Sequence, residues 1–146
     1  MTQEQKELLL KDLCARLDTN LVCSIYRIDD EGVGYRDEIL HGYCKGDIWY
    51  EFYFSEDCGI GMDNISKIKP YLLPLSSMTN EQREYIRNRW GVNEDFNFEI
   101  DPNWGRFFVE LEDAVDFINW CYENHFDINY LILKGLAIDA TDKNIY

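Results

Sequence analysis

The sequence predicts an α+β fold in a single domain spanning 1–146: an antiparallel sheet around a central aromatic hairpin, with three to four helices packed mainly on one face. Residues 39–54 read ILHGYCKGDIWYEFYF, and from Asp47 the types alternate, with Ile48, Tyr50, Phe52 and Phe54 on one side and Trp49, Glu51 and Tyr53 on the other. A period of two is the mark of a strand. Residues 110–126 instead place Leu111, Ala114, Val115, Ile118, Cys121, Tyr122 and His125 at helical spacing, with Glu110, Glu112 and Asp113 in the first turn, where the helix dipole favours acids. The chain of 146 residues, 46% hydrophobic and 15% aromatic, suits one domain that buries roughly two thirds of its unfolded surface.

In chain order, Thr2-Gln3-Glu4-Gln5 has the form of a capping box, and Leu9 or Leu10, Leu13, Cys14 and Leu17 carry an amphipathic helix until Asp18-Thr19-Asn20 breaks it. Leu21 to Ile28 suits a strand, DDEGVG at 29–34 a turn, and a further strand leads into the hairpin, giving a three-stranded meander. With Lys45 and Gly46 as the hairpin loop, His41 would lie opposite Tyr50 and Gly42 opposite Trp49. SEDCGIGMDN at 55–64 holds glycines and acids but neither a GK[ST] ending nor regularly spaced oxygen ligands, so it reads as a connection rather than a phosphate or calcium loop.

Residues 65–75 are extended and carry Pro70 and Pro74, which suit an edge strand. Thr79 and Gln82 form a second capping box, opening a helix near 80–90 that Gly91 ends. FNFEID at 96–101 alternates as a strand, 102–105 makes a turn, and 106–109 reads as a short return strand. After the helix at 110–126, Asp127 is placed to cap a short helix through Lys134, closed by Gly135 in the left-handed conformation. A short strand at 136–140 and a frayed polar tail, TDKNIY, complete the expectation.

Charge and thiols bound the function. Acidic residues number 28 against 14 basic ones, a formal net charge of −14, which disfavours direct nucleic-acid or anionic-membrane binding and suits docking on a basic partner. Five cysteines at irregular spacing, without a CxxC pair, together with MTQEQKELLLKDL at the N-terminus, point to a cytoplasmic protein with reduced thiols.

Two candidate sites follow. Residues 65–90 hold Lys67, Lys69, Arg83, Arg87 and Arg89 against Glu81 and Glu84, a local balance of +3. Arg83, Arg87 and Arg89 could there receive a phosphate or carboxylate, or simply neutralise the acid-rich segment 91–131. His41-x-x-Cys44 and Cys121-x-x-x-His125 could close a tetrahedral zinc site if the later helix covers the hairpin; otherwise Cys121 is a core residue and His125 a satisfied histidine. A cysteine with histidine and acid can be drawn in many ways in so acidic a chain, and no G-x-S-x-G, H-E-x-x-H or Walker pattern occurs. No enzyme activity and no cofactor are therefore expected.

The stretches KPYLLPLSSMTNEQREYI at 69–86 and HFDINYLILKGLAIDAT at 125–141 resemble small proteins found in phages and prophages of Bacteroides-type bacteria. There a proline-flanked PLSSMT precedes a helix, and an HFDYRGLI-KGLA segment lies near the C-terminus. The similarity covers roughly a quarter of the chain. It departs at Ile128-Asn129-Tyr130-Leu131, where a tyrosine-arginine-glycine run is replaced. The resemblance implies a phage setting and no chemistry. The expectation is a non-enzymatic phage accessory protein that binds a host or phage protein through an acidic or aromatic surface. The alternative is a protein that captures an anionic metabolite or nucleotide, and a homo-oligomer is compatible with either.

Overall fold

The computed structural model describes residues 1–29, 32–45, 50–55, 58–93, 95–96 and 111–146. The strand, turn and return strand expected between 97 and 109 lie outside them, as does the hairpin tip at 46–49. Helix α1 (Gln3–Ala15) starts on the expected capping box: the Thr2 hydroxyl accepts from Gln5 N–H, and the Gln5 side chain accepts from Thr2 N–H. The helix stops at Ala15, two residues before Leu17 where the expected stripe ends, with Asn20 at φ 55 in the turn that follows.

Strands β1 (Val22–Asp29) and β2 (Gly32–Ile39) form an antiparallel hairpin in full register, from Val22 opposite Ile39 to Asp29 opposite Gly32. The chain then changes sheets. Leu40 N–H bonds to Leu21 O at 2.8 Å in the first sheet, and His41 N–H bonds to Tyr53 O at 2.8 Å in the second. Strands β3 (Gly42–Lys45), β4 (Tyr50–Ser55) and β5 (Cys58–Gly61) build that second, three-stranded antiparallel sheet. The aromatic hairpin is thus a sheet of its own rather than the centre of one meander, and part of the expected connection at 55–64 is strand β5.

Within the hairpin Tyr43 pairs with Phe52 and Gly42 with Tyr53, a register four residues away from a two-residue loop at Lys45-Gly46. An even shift leaves every side chain on its expected face. Phe52 and Phe54 are buried as the alternation requires, and Tyr43 gains a ring contact with Phe52 at 5.1 Å.

A 3₁₀ turn (Met62–Lys67) leads to β6 (Ile68–Leu72), which lies between β1 and the two-residue β7 (Ile138–Asp139) in the order β2-β1-β6-β7. β6 is antiparallel to β1 and parallel to β7, so this sheet is mixed. The prolines had suggested an edge strand, yet β6 is internal. Pairing with β1 runs from Ile68 to Pro70 and pairing with β7 begins at Tyr71, so Pro70 sits where one neighbour hands over to the next and its missing N–H costs no ladder bond.

Helix α2 (Asn80–Trp90) has the Thr79–Gln82 capping box and ends on Gly91 at φ 64, as expected. Helix α3 (Leu111–Glu123) buries Phe117 and Cys121, while Val115 and Ile118 from the expected stripe are exposed. Beyond it Asp127 does act as a backbone acceptor, from Leu131 N–H and Ile132 N–H, both at 2.8 Å. The loop it closes is a run of turns and not a helix, although Gly135 is left-handed at φ 70.

Two clusters form the core. α1 (Leu9, Leu13), both sheets (Cys23, Ile25, Phe52, Phe54, Ile68, Leu72) and the loop residues Leu131 and Leu136 share one. α2 and α3 make the other with Met78, Ile86, Phe117, Cys121 and Phe126. Among the described residues, α1 is the α-helix that contributes buried side chains to the core shared by the sheets, while α2 and α3 pack against each other.

Candidate functional site

The arginines expected to receive an anion are divided by the helix they share. Arg83 points back over the N-terminus of α2, its Nε donating to Met78 O at 3.3 Å and its Nη2 to Leu75 O at 3.2 Å and Ser76 O at 3.1 Å. Its guanidinium lies over the Phe96 ring at 5.3 Å. Those bonds close the Leu75–Met78 turn, so much of the donor capacity of Arg83 serves its own backbone. Arg87, one turn on, lines the same open depression with Asn80, Glu84, Asn88 and Asp95, where two acids accompany the two arginines. Arg89 is exposed and rests its guanidinium 5.9 Å over the Trp90 ring. Two residues from Arg87, it projects from another side of the helix. Lys67 ends the 3₁₀ turn and Lys69 lies in β6 opposite Ser24. Of the five cations close in sequence, Arg83 and Arg87 share one depression.

The four metal candidates are also placed apart. His41 is exposed just before β3 and Cys44 half-buried within it, whereas Cys121 is fully buried in the helical core. Among the described residues, which include all four, no three His, Cys, Asp or Glu side chains converge as a metal would require. The tetrahedral site expected of His41, Cys44, Cys121 and His125 is therefore not assembled, because α3 packs on α2 instead of covering the hairpin. Burial pushes the Cys14 and Cys23 thiols up and that of Cys121 up to about 12. These three are neutral packing groups rather than nucleophiles near neutral pH.

His125 instead joins the end of the chain to the sheet. It sits at φ 60 with its ring stacked 3.8 Å from that of Tyr146, the planes 11° apart. The Tyr146 hydroxyl donates to Tyr71 O at 2.7 Å and accepts from Val22 N–H at 3.4 Å. The tail is docked, not frayed. Burial, aided by the positive charge of Arg16, lowers the pKa of His125 to about 4, and its buried Nδ1 has no hydrogen-bond partner among the described residues.

The folded state thus binds fewer protons here than the unfolded chain between about pH 6.5 and 4, and stability falls as pH drops through that window. In His125→Asn, whose asparagine accepts a positive φ, the pH dependence of the urea midpoint between 7 and 4.5 should be shallower than in the parent. Equal slopes would exclude the histidine as its source.

What sequence reasoning missed is a buried polar cluster. Asp12 and Arg16, both fully buried, form an ion pair at 2.8 Å one helical turn apart. Arg16 Nη1 and Nη2 donate to Tyr122 O at 3.2 Å and Phe126 O at 2.7 Å, and Asn129 Nδ2 donates to Asp12 Oδ1 at 2.8 Å. The guanidinium lies 4.6 Å over the Tyr122 ring. Its signal was present: Asp12 and Arg16 share the stripe of Leu9 and Leu13, so two opposite charges stand on an apolar face. The Asp12 carboxylate is occupied by Arg16 and the Asn129 amide, and the Arg16 guanidinium by Asp12 and the carbonyls of Tyr122 and Phe126, which makes this a structural joint.

The surface that remains unexplained by the fold is the outer side of the β1–β2 hairpin. Register places Tyr26 opposite Tyr35 and Ile28 opposite Val33 on one face, with Ile39 at its end. Ile28 is 72% exposed, Val33 65% and Tyr35 64%. The tyrosine rings meet edge-on at 5.2 Å. Residues 22–39 carry five acids, Asp29, Asp30, Glu31, Asp37 and Glu38, against Arg27 and Arg36. A second apolar surface is a groove of about 390 Å³ lined by Pro74, Leu75, Phe96, Tyr130, Ile132 and Leu133. No helix among the described residues is long and apolar enough to cross a membrane. Comparison with protein-family models, with curated proteins and with solved structures finds no match to this chain.

Proposed function

We propose that this chain is a non-enzymatic accessory protein of a phage that holds a host or phage protein on the outer face of its β1–β2 hairpin. The observation that carries the reading is the contiguous stripe of exposed Ile28, Val33 and Tyr35 with half-buried Tyr26, beside Asp37 on the same face. Apolar patches with a polar rim are a feature of protein-binding surfaces, and the net charge of −14 steers basic partners toward it. Anion capture at Arg83, Arg87 and Arg89 is the competing reading. It is weakened by the three carbonyls that already hold Arg83 and by Glu84 and Asp95 beside Arg87.

The test is affinity capture from a host lysate with and without phage infection. Wild-type protein should retain a specific partner that is lost as salt rises from about 0.05 to 0.5 M. Ile28→Gln with Val33→Gln, which alters no charge, should reduce its recovery at least about tenfold, while Arg83→Glu with Arg87→Glu should leave it in place. Full recovery on the glutamine variant would sink the assignment of this face.

A further inference from the structure

We infer that the partner is held as an extended basic strand added to the open edge of β2, so that recognition passes through backbone hydrogen bonds as well as the exposed stripe. This rests on the hairpin face being the binding surface and names what binds there. Among the described residues β2 has one neighbour strand, β1, and ends the four-stranded order. It is eight residues long, more than enough for a strand to pair along.

The direction of its free groups follows from one hydrogen bond. Leu40 N–H bonds to Leu21 O at 2.8 Å, and these two continue the register of β1 with β2. Opposed residues of an antiparallel pair alternate between bonding each other and bonding outward. Counting back from Leu40, Glu38, Arg36 and Gly34 turn their backbone groups toward β1, and Asp37, Tyr35 and Val33 turn theirs to the open side. The other flank of the hairpin agrees, since Val22 N–H is aimed away from β2 at the Tyr146 hydroxyl. Among the described residues no strand meets these outward groups, so Val33 and Tyr35 present backbone donors and acceptors along with their exposed side chains. Long edges are normally blunted with charged side chains, proline or a bulge. β2 contains no proline, its pairing with β1 is continuous, and its charges, Arg36, Asp37 and Glu38, gather toward one end and leave Gly32–Tyr35 uncharged.

Charge selects the occupant. The chain carries a formal −14. On the stripe's own face β2 presents Asp37, whereas Glu38 on the opposite face is paired with Arg27 at 3.0 Å. This favours a strand with lysine or arginine near Asp37 and apolar side chains beside Val33 and Tyr35. A second copy would bring the same acids and another formal −14 to the edge.

A decisive probe is a ten-residue peptide alternating valine or tyrosine with lysine, compared with its glutamate-for-lysine counterpart by fluorescence anisotropy. The lysine peptide should bind at least about tenfold tighter than the glutamate one. Tyr35→Ala removes the side chain alone, whereas Tyr35→Pro also removes an outward N–H without touching the β1 ladder, and should weaken binding by roughly a further fivefold to tenfold. As a readout independent of any variant, hydrogen exchange of the wild-type amides should slow at Val33, Tyr35 and Asp37 when peptide is added, and not at Gly34 or Arg36. Unchanged exchange at the three, or equal affinities of the alanine and proline variants, would overturn edge pairing. If the lysate partner is then still lost from Ile28→Gln with Val33→Gln, docking on the face survives and only its strand geometry falls. If it is retained, both fall. Dimerisation of the chain abolished by Tyr35→Pro would assign the edge to self-pairing and refute a basic partner.

Discussion

Asp12→Ala is expected to destabilise the fold by about 3–5 kcal/mol, more than any exposed substitution in the chain. Removing the carboxylate leaves the Arg16 guanidinium fully buried, with two carbonyls and no counter-charge. The cost comes mainly from that stranded cation rather than from the lost attraction, since desolvation and pairing nearly cancel in an intact buried pair. The double variant Asp12→Leu with Arg16→Met should accordingly recover much of the loss, though the Tyr122 and Phe126 carbonyls then lack their donor. Urea denaturation of the two single variants and the double variant closes the cycle. A loss below about 1 kcal/mol in Asp12→Ala would mean that water reaches the guanidinium and that the pair is not buried in solution.

Phe52→Ala should cost about 3–5 kcal/mol, and its way of unfolding is as informative as its size. Phe52 lies in the second sheet but belongs to the cluster that also contains Leu9 and Leu13 of α1, Ile25 of β1 and Ile68 of β6. Because both sheets bury their apolar faces in this one core, weakening one should weaken the other, and the variant should unfold in a single transition at lower urea. Circular dichroism and tryptophan fluorescence should give coincident midpoints. A separate early transition, with the β1–β2–β6 amides still protected, would show that the three-stranded sheet is an independently opening unit.

Local chemistry explains which elements were legible. Thr2 with Gln5, Thr79 with Gln82, and Gly91 act within one helical turn, so their geometry is written in adjacent residues. The burial of Phe52 and Phe54 follows from alternation alone. Long-range choices were not legible. Nothing near Leu40 signals that Leu21 and Tyr53 lie on different sheets. An even register shift leaves the hydrophobic pattern of 42–53 unchanged, so periodicity could not separate the alternatives. Pro70 fixed a missing backbone donor but not which side of β6 the gap would face. The arginine site was only partly legible for a related reason: Arg83, Arg87 and Arg89 are close in sequence, while helix geometry and the carbonyls of residues 75–78 decide where each points. The hairpin face was hidden by its composition, because Ile28, Val33 and Tyr35 look the same in a covered sheet and in an open one.

The Arg16 joint also sets an order of events during synthesis. Its carbonyl acceptors stand 106 and 110 residues further along the chain, and β6 receives its parallel neighbour only from Ile138–Asp139. On a ribosome, α1, the β1–β2 hairpin and the three-stranded sheet are all made long before the carbonyls that accept from Arg16. A nascent chain must leave those guanidinium donors to water until Tyr122 and Phe126 have left the exit tunnel. Local hairpins form early because their contacts are short in sequence, and ring closure across more than a hundred residues comes last. Formation of the joint is thereby coupled to synthesis of residues 122–129, and a chain truncated before Phe126 would retain its hairpins without the joint that ties α1 to that segment.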